Sequence, residues 1–326
     1  MAGSAILYVE PVQAPKRRNT MGGAMAGSAI LQSPKQTGEL HTVTVTINNS
    51  CNYQCDHCYL QYAGQKTPIS PAVRDKIYVT RFKHLAIVGK EPTMHPEIVA
   101  EMSEQMASSG RTASIITNGA LLHHLTPETL KNLAYIDVSF DGGPDTYARM
   151  RKGNFKTIIE NVQQADRPVT ALHTLYKENL PHIDDMVAVR DYADFKHILF
   201  SPYLISKNDG KNNVGAVSVI GDILPTLARS EAFLEEPKAK LLLSKLQLLQ
   251  EGVSVDRLAQ ALTANRLTDK TLLFTEDPIN KGFIRVNYDG GVITPFQSLH
   301  PVNYRNAKHH LTGTQSLEEI ARELRN

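Results

Sequence analysis

The sequence predicts an α/β fold: a partial (β/α)6 TIM-like barrel over residues 41–205, with a C-terminal α+β extension over 206–326. Three observations predict it. Six short β-branched or apolar runs recur between residues 42 and 205, and each of the first five is followed by a helical pattern. Such alternation implies parallel strands joined by right-handed crossovers. The runs are nearly continuous in apolar residues, as expected of strands covered on both faces. Finally, all 3 cysteines of the 326-residue chain stand between positions 51 and 58, directly after the first run. That is where a (β/α) array gathers its functional loops.

Taken in order, residues 1–40 are expected to form a disordered tail. "MAGSAIL" occurs at 1–7 and again at 25–31, and a segment rich in Gly, Ala and Ser has little to bury. "TVTVTIN" (42–48) is a β-branched strand that runs straight into the cysteine loop. "SPAVRDKIYVTRF" (70–82) opens with the Ser-Pro pair that starts a helix. "HLAIVG" (84–89) is a strand, "HPEIVAEMSEQMASSG" (95–110) a helix closed by glycine, and "ASIITNG" (113–119) a strand. "TPETLKNLA" (126–134) is a helix capped by Thr126, and "AYIDVSFDG" (134–142) a strand. "FKTIIENVQQA" (155–165) and "HIDDMVAVRDYAD" (182–194) are helices; "VTALHTLY" (169–176) and "HILFSPYLI" (197–205) are strands.

The extension reads differently. Three helical patterns fill 206–282 after a polar loop. "FIRVNYDGGVITPF" (283–296) is a hairpin about Asp289-Gly290-Gly291. A last helix follows Ser316, with Glu319 completing a capping box.

Bulk properties narrow the partners. A net charge of +2 gives no overall attraction to nucleic acid. The apolar runs are too short to span a bilayer, and the N-terminus lacks a basic region before its apolar patch, so neither a membrane span nor a signal peptide is expected. Three clustered cysteines make no disulfide framework, which points to a reducing cytoplasm.

The cysteine spacing is C-x3-C-x2-C. Thiolates are soft ligands that suit zinc or an iron–sulfur cluster. Zinc would need a fourth ligand, and His57 stands between Cys55 and Cys58. Three cysteines can instead hold three irons of a cubane and leave one iron open to a ligand. Here the chain resembles the radical S-adenosylmethionine (SAM) enzymes. The resemblance rests on Cys51, Cys55 and Cys58 after the first strand, on "GKEPTMHPE" (89–97) after the second, and on "TNG" (117–119) and "SFDG" (139–142) after the third and fourth. "MRKGNF" (150–155) fits a following Arg-x-Gly stretch. His57 stands where an aromatic residue is usual, and Lys90 replaces the second glycine of the family's GGEP.

The resemblance implies that Cys51, Cys55 and Cys58 ligate a [4Fe–4S] cluster whose open iron chelates SAM, with a 5′-deoxyadenosyl radical formed on one-electron reduction. It further implies cofactor-binding roles for Tyr53, His57, Gly89, Lys90, Glu91, Pro92, Asn118, Ser139, Asp141 and Arg151. Gly89 to Pro92 fall on the SAM amine, and Ser139 and Asp141 on its ribose or carboxylate. Arg151 would pair with the carboxylate or stand as a solvated helix-end charge, and Asn118 reads first as a turn residue. Lys90, Glu91 and Arg285 are the candidate catalytic residues. The hairpin resembles a degenerate SPASM/twitch-like region, with Phe296 where a cysteine would begin an auxiliary cluster.

The expected substrate is a small polar molecule, best a sugar nucleoside or sugar acid in natural-product (antibiotic) biosynthesis, as in the cytosylglucuronate decarboxylase-like group, by a lyase-type decarboxylation or dehydration. A reductant such as flavodoxin or ferredoxin is the implied partner. The alternatives are a peptide maturase or cyclase of the same class and, outside it, a zinc or iron–sulfur binding or electron-carrier module.

Overall fold

The computed structural model describes residues 40–55, 58, 67–175, 179–202, 283–293 and 307–325. The expected tail, the three helical patterns of 206–282, His57 and Phe296 lie outside the described residues.

Six strands run parallel in chain order: β1 (Thr42–Thr46), β2 (His84–Val88), β3 (Thr112–Thr117), β4 (Leu133–Ser139), β5 (Val169–Leu175) and β6 (His197–Pro202). The intervening helices are α1 (Pro71–Val79), α2 (Pro96–Ser108), α3 (Pro127–Asn132), α4 (Pro144–Arg151), α5 (Phe155–Gln164) and α6 (Ile183–Ala193). Local chemistry fixes their starts. The side chains of Ser70, Thr126 and Asn154 accept hydrogen bonds from the amides of Val73, Thr129 and Thr157, satisfying donors that the helix itself leaves open. The helix α4 is an addition to the expected order. Its signal is Gly143-Pro144-Asp145, a proline at the first helical position with an acid in the first turn.

The hairpin joins the same sheet. Strand β7 (Phe283–Val286) pairs parallel with β1 and turns into β8 (Gly291–Ile293), which pairs with β9 (His309–His310). The strand order β6-β5-β4-β3-β2-β1-β7-β8-β9 is open at both ends, so the parallel sheet is not a closed barrel. A final helix, α7 (Leu317–Arg325), is held by the expected box: the Glu319 amide donates to Ser316 Oγ at 3.2 Å and the Ser316 amide to Glu319 Oε2 at 2.8 Å. Among the described residues no helix is long and apolar enough to cross a membrane.

Register assigns the two faces of the sheet. Val43, Val45, Leu85, Ile87, Ile115, Ile136 and Val138 share one face and join Ile98, Val99, Met102, Ile158 and Ile159 of the helices in a single core. Each such side chain, wholly removed from water, contributes roughly 1.5–3 kcal/mol. The other face carries Arg285, Thr44, Ala86, Ser114 and Tyr135 in one row across β7, β1, β2, β3 and β4. The strands therefore alternate apolar and polar positions, although the sequence expectation was strands apolar on both faces. Threonine, serine and alanine are small enough to leave β propensity as the dominant signal of the run.

Candidate functional site

The C-terminal ends of β1, β2 and β3 converge on one buried polar cluster. Asn48, just past β1, is fully buried; its Nδ2 donates to the Glu91 carbonyl at 2.7 Å and its Oδ1 accepts from the Lys90 amide at 3.2 Å. That amide sits close over Gly89, where a β-carbon would lie 2.5 Å from Asn48 Oδ1. Only glycine tolerates this approach. The side chain of Glu91, 1% exposed, then ties β2 to β3. Its Oε1 accepts from the Thr93 amide at 3.0 Å, from Thr93 Oγ1 at 2.5 Å and from Thr117 Oγ1 at 2.6 Å, and its Oε2 accepts from the Asn118 amide at 2.7 Å. Burial pushes the Glu91 carboxyl up, and these donors pull it back. Pro92 begins the turn Pro92–Met94, whose buried residues Pro92 and Thr93 face the cluster's acid through Thr93.

Asn118 carries the cluster to the cysteines. Its Nδ2 donates to Asn52 Oδ1 at 2.7 Å and lies 3.8 Å from Cys51 Sγ, while its Oδ1 accepts from the Ala120 amide at 2.9 Å. Asn118 is thus both the turn residue and a neighbour of the cysteine loop. The Tyr53 amide donates to Cys51 Sγ at 3.3 Å, and the Cys58 amide to the Cys55 carbonyl at 3.2 Å. Cys55 Sγ lies 3.7 Å from the Arg151 carbonyl at the end of α4. The Tyr53 ring packs directly on Gly153, in space that a β-carbon would take. This accounts for the Arg-x-Gly stretch: the glycine makes room for the cysteine loop.

Several expectations change. Glu91 was a candidate catalytic residue, but both of its oxygens are committed to the turn and to β3, which makes it a positioning group. Arg151 is neither solvated nor free to reach a carboxylate. It is buried, and its Nε donates to Asp141 Oδ2 at 2.5 Å. Asp141 Oδ1 accepts from the Thr174 amide at 2.6 Å, so this pair locks α4 and β5 to the end of β4. Ser139 closes β4 half-buried on the polar face, and Lys90 is half-buried at the cluster rim. Arg285 lies on the polar face, its Nε and Nη2 each 3.3 Å from Thr46 Oγ1 at the end of β1. Asn48, Asn52, Thr93 and Thr117 were missed. Their signal was position alone, at the first polar residues after strands.

The thiols are free, partly buried and mutually sensitive. Burial pushes Cys55 up to about 11, with the Arg151 guanidinium opposing and Cys58 and Cys51 adding to the rise. Burial also raises Cys51, with Glu91 and Cys58 adding to it and Lys90 opposing. Among the described residues no three Cys, His, Asp or Glu side chains converge to hold a single metal ion.

Residues 45–189 match the Radical SAM superfamily. The match runs from β1 into α6 and takes in the cysteine loop; enzymes of that superfamily use a [4Fe–4S] cluster and S-adenosylmethionine. The chain is 26% identical to the "Probable GTP 3',8-cyclase" of Methanocaldococcus jannaschii over 167 residues, 48% of this chain and 55% of that protein. It is 25% identical to the GTP 3',8-cyclase of Microcystis aeruginosa over 126 residues, 34% of this chain and 38% of that protein. The chain thus spans about half the length, or less, of these curated relatives. Among solved structures, anSMEcpe with bound AdoMet superposes with a TM-score of 0.57 at 15% identity, over 86% of this chain and 77% of that one. Streptococcus suis SuiB bound to precursor peptide SuiA gives 0.54 at 10% identity, over 97% and 73%. At such identities the likeness is one of fold.

The residues present fit the cofactors. Three unpaired thiols on one loop give the donor set, and a buried guanidinium beside Cys55 favours thiolate over thiol. Ligand thiolates must lose their protons on binding, so the raised Cys51 and Cys55 couple loading to pH.

Proposed function

We propose that this chain is a single-cluster radical SAM enzyme acting on a small polar substrate of the nucleoside or nucleotide kind. One observation carries the reading: the sole cysteine loop lies at the end of β1, linked through Asn118 to the Glu91 cluster at the ends of β2 and β3. Cys51, Cys55 and Cys58 would hold the cluster, one thiolate each. When bound, the two cofactors supply a 5′-deoxyadenosyl radical, which takes a hydrogen atom from the substrate.

The chain's own residues do the positioning. Glu91 fixes the turn from Gly89 to Thr93, whose backbone would hold the amine of SAM. Asn118 sets Asn52 and Cys51, and the Asp141–Arg151 pair holds the helix end against Cys55. The relatives' names contain GTP and cyclase, which supports a nucleotide substrate and the cyclase alternative rather than the sugar nucleoside expected from the sequence. They lend nothing to a sugar acid, to decarboxylation or dehydration, or to an antibiotic pathway. A flavodoxin- or ferredoxin-like protein is the proposed electron donor.

The test is anaerobic reconstitution with iron, sulfide and SAM. The reading expects about four irons per chain and 5′-deoxyadenosine whose yield rises with GTP or a sugar nucleoside. One zinc per chain and no SAM cleavage would overturn it.

A further inference from the structure

We propose that Asp137 is the residue with which the polar face of the sheet holds a hydrogen-bond donor of the substrate, either a sugar hydroxyl or the exocyclic amine of a base. The proposal rests on the nucleotide reading above for its probes, and on geometry for its residue.

Asp137 lies within β4, two positions before Ser139 at the strand's C-terminal end. At the rise of a strand, this puts it on the order of 7 Å below the rim that carries the cysteine loop. Register opposes it to Ile116 on β3 and Thr170 on β5, which sets it on the polar face with Tyr135 and Ser139. Its side chain is 7% exposed, and no hydrogen bond or ion pair reaches its carboxylate from the described residues. The other carboxylates buried near the rim, Glu91 and Asp141, are saturated by donors. Asp137 alone of the three, 7% exposed, has no donor among the described residues.

A buried carboxyl without a partner is expensive, and proteins keep such groups chiefly where a ligand completes them. Its surroundings accentuate the point. The polar face supplies hydroxyls from Thr44 and Thr170 and one guanidinium from Arg285. These can receive or donate to a polyhydroxyl ligand, while an ionised carboxylate can only accept. Burial alone lifts the Asp137 carboxyl to about 7, so a donor in contact would draw it towards the ionised form. Among the described residues the titratable groups on this face are Tyr135 and His84 toward the N-terminal end and Arg285 on β7.

The experiment titrates four probes into cluster-loaded, SAM-bound protein by calorimetry: GTP, inosine triphosphate, 2′-deoxy-GTP and 3′-deoxy-GTP. The wild type is expected to bind GTP and to lose about tenfold with the one analogue that lacks the group Asp137 accepts from. Asp137→Asn is expected to bind GTP about tenfold more weakly and to show no further loss with that analogue, with the SAM dissociation constant unmoved. An Asp137→Asn protein that binds GTP as the wild type does, and ranks the analogues identically, overturns the proposal. If the wild type binds none of the four, the nucleotide reading fails and Asp137 is judged on the protein alone. An infrared titration of wild type minus Asp137→Asn should then show one carboxyl band that titrates near neutrality. A carboxylate ionised throughout the range from about pH 5 to pH 9 would mean a partner already holds it, and would sink the assignment.

Discussion

The two ends of the parallel sheet each bury a polar network, and the networks close differently. At the N-terminal end His84 is buried, with Nδ1 2.8 Å from Thr112 Oγ1, Nε2 2.9 Å from Ser114 Oγ and 3.1 Å from the Tyr135 hydroxyl. Its ring also stacks on Tyr135, with centroids 5.5 Å apart. Burial lowers His84 to about 4, so the imidazole is neutral at physiological pH. Every partner belongs to the adjacent strands β3 and β4, and the network ends in itself. At the C-terminal end the Glu91 cluster passes through Asn118 to Cys51, so its last members are groups able to take a ligand. A polar network that saturates itself reads as structure, and one that stops at reactive groups reads as a site.

Removing a thiol breaks the comparison hardest. Alanine at any one of Cys51, Cys55 or Cys58 is expected to abolish SAM cleavage and to lower bound iron, read by iron assay and 5′-deoxyadenosine yield. Next comes Arg151→Met, which strands Asp141 without its cation. Breaking a buried ion pair from one side destabilises by about 3–5 kcal/mol, and a urea melt should register it. Replacing both partners by apolar residues should cost less.

Asp137→Asn sharpens the contrast by pH. The unfolded carboxyl releases its proton near 3.8 and the folded one near 7, so between those values the folded state holds more protons and stability falls as pH rises. The variant should therefore melt like the wild type near pH 4 and above it at pH 8, by up to about 4 kcal/mol. The smallest effect is expected at the N-terminal end. Tyr135→Phe removes one hydrogen bond and should cost about 1 kcal/mol in stability, with iron content and SAM cleavage unchanged. A loss of iron in that variant would erase the distinction between the two ends.

Much of the fold was legible from local chemistry. Six strands and five helices stood out because their caps and apolar runs are contiguous in sequence, as at Ser70-Pro71 or Thr126-Pro127. The helix α4 escaped because its residues between Pro144 and Arg151 are mostly polar and carry little periodic pattern. The three thiols proposed as ligands stood out by their spacing within one loop. Asp137 carried a visible signal, a charge within the apolar run "AYIDVSF", but nothing local said that it would go unpaired.

By itself the sequence determined the alternation of strand and helix, the side of the sheet that bears the cysteines, and the set of thiols available to iron. These depend on hydrophobic period, capping and ligand chemistry, which act over a few residues. Tertiary structure alone decided that Arg151 belongs to Asp141, that Glu91 spends both oxygens on its own scaffold, that β7 lies beside β1, and that Asp137 has no donor among the described residues. Each is a pairing between residues 10 or more apart, or the lack of one. Such pairings depend on how the burial of distant segments brings charges together, and no short window of sequence contains both partners.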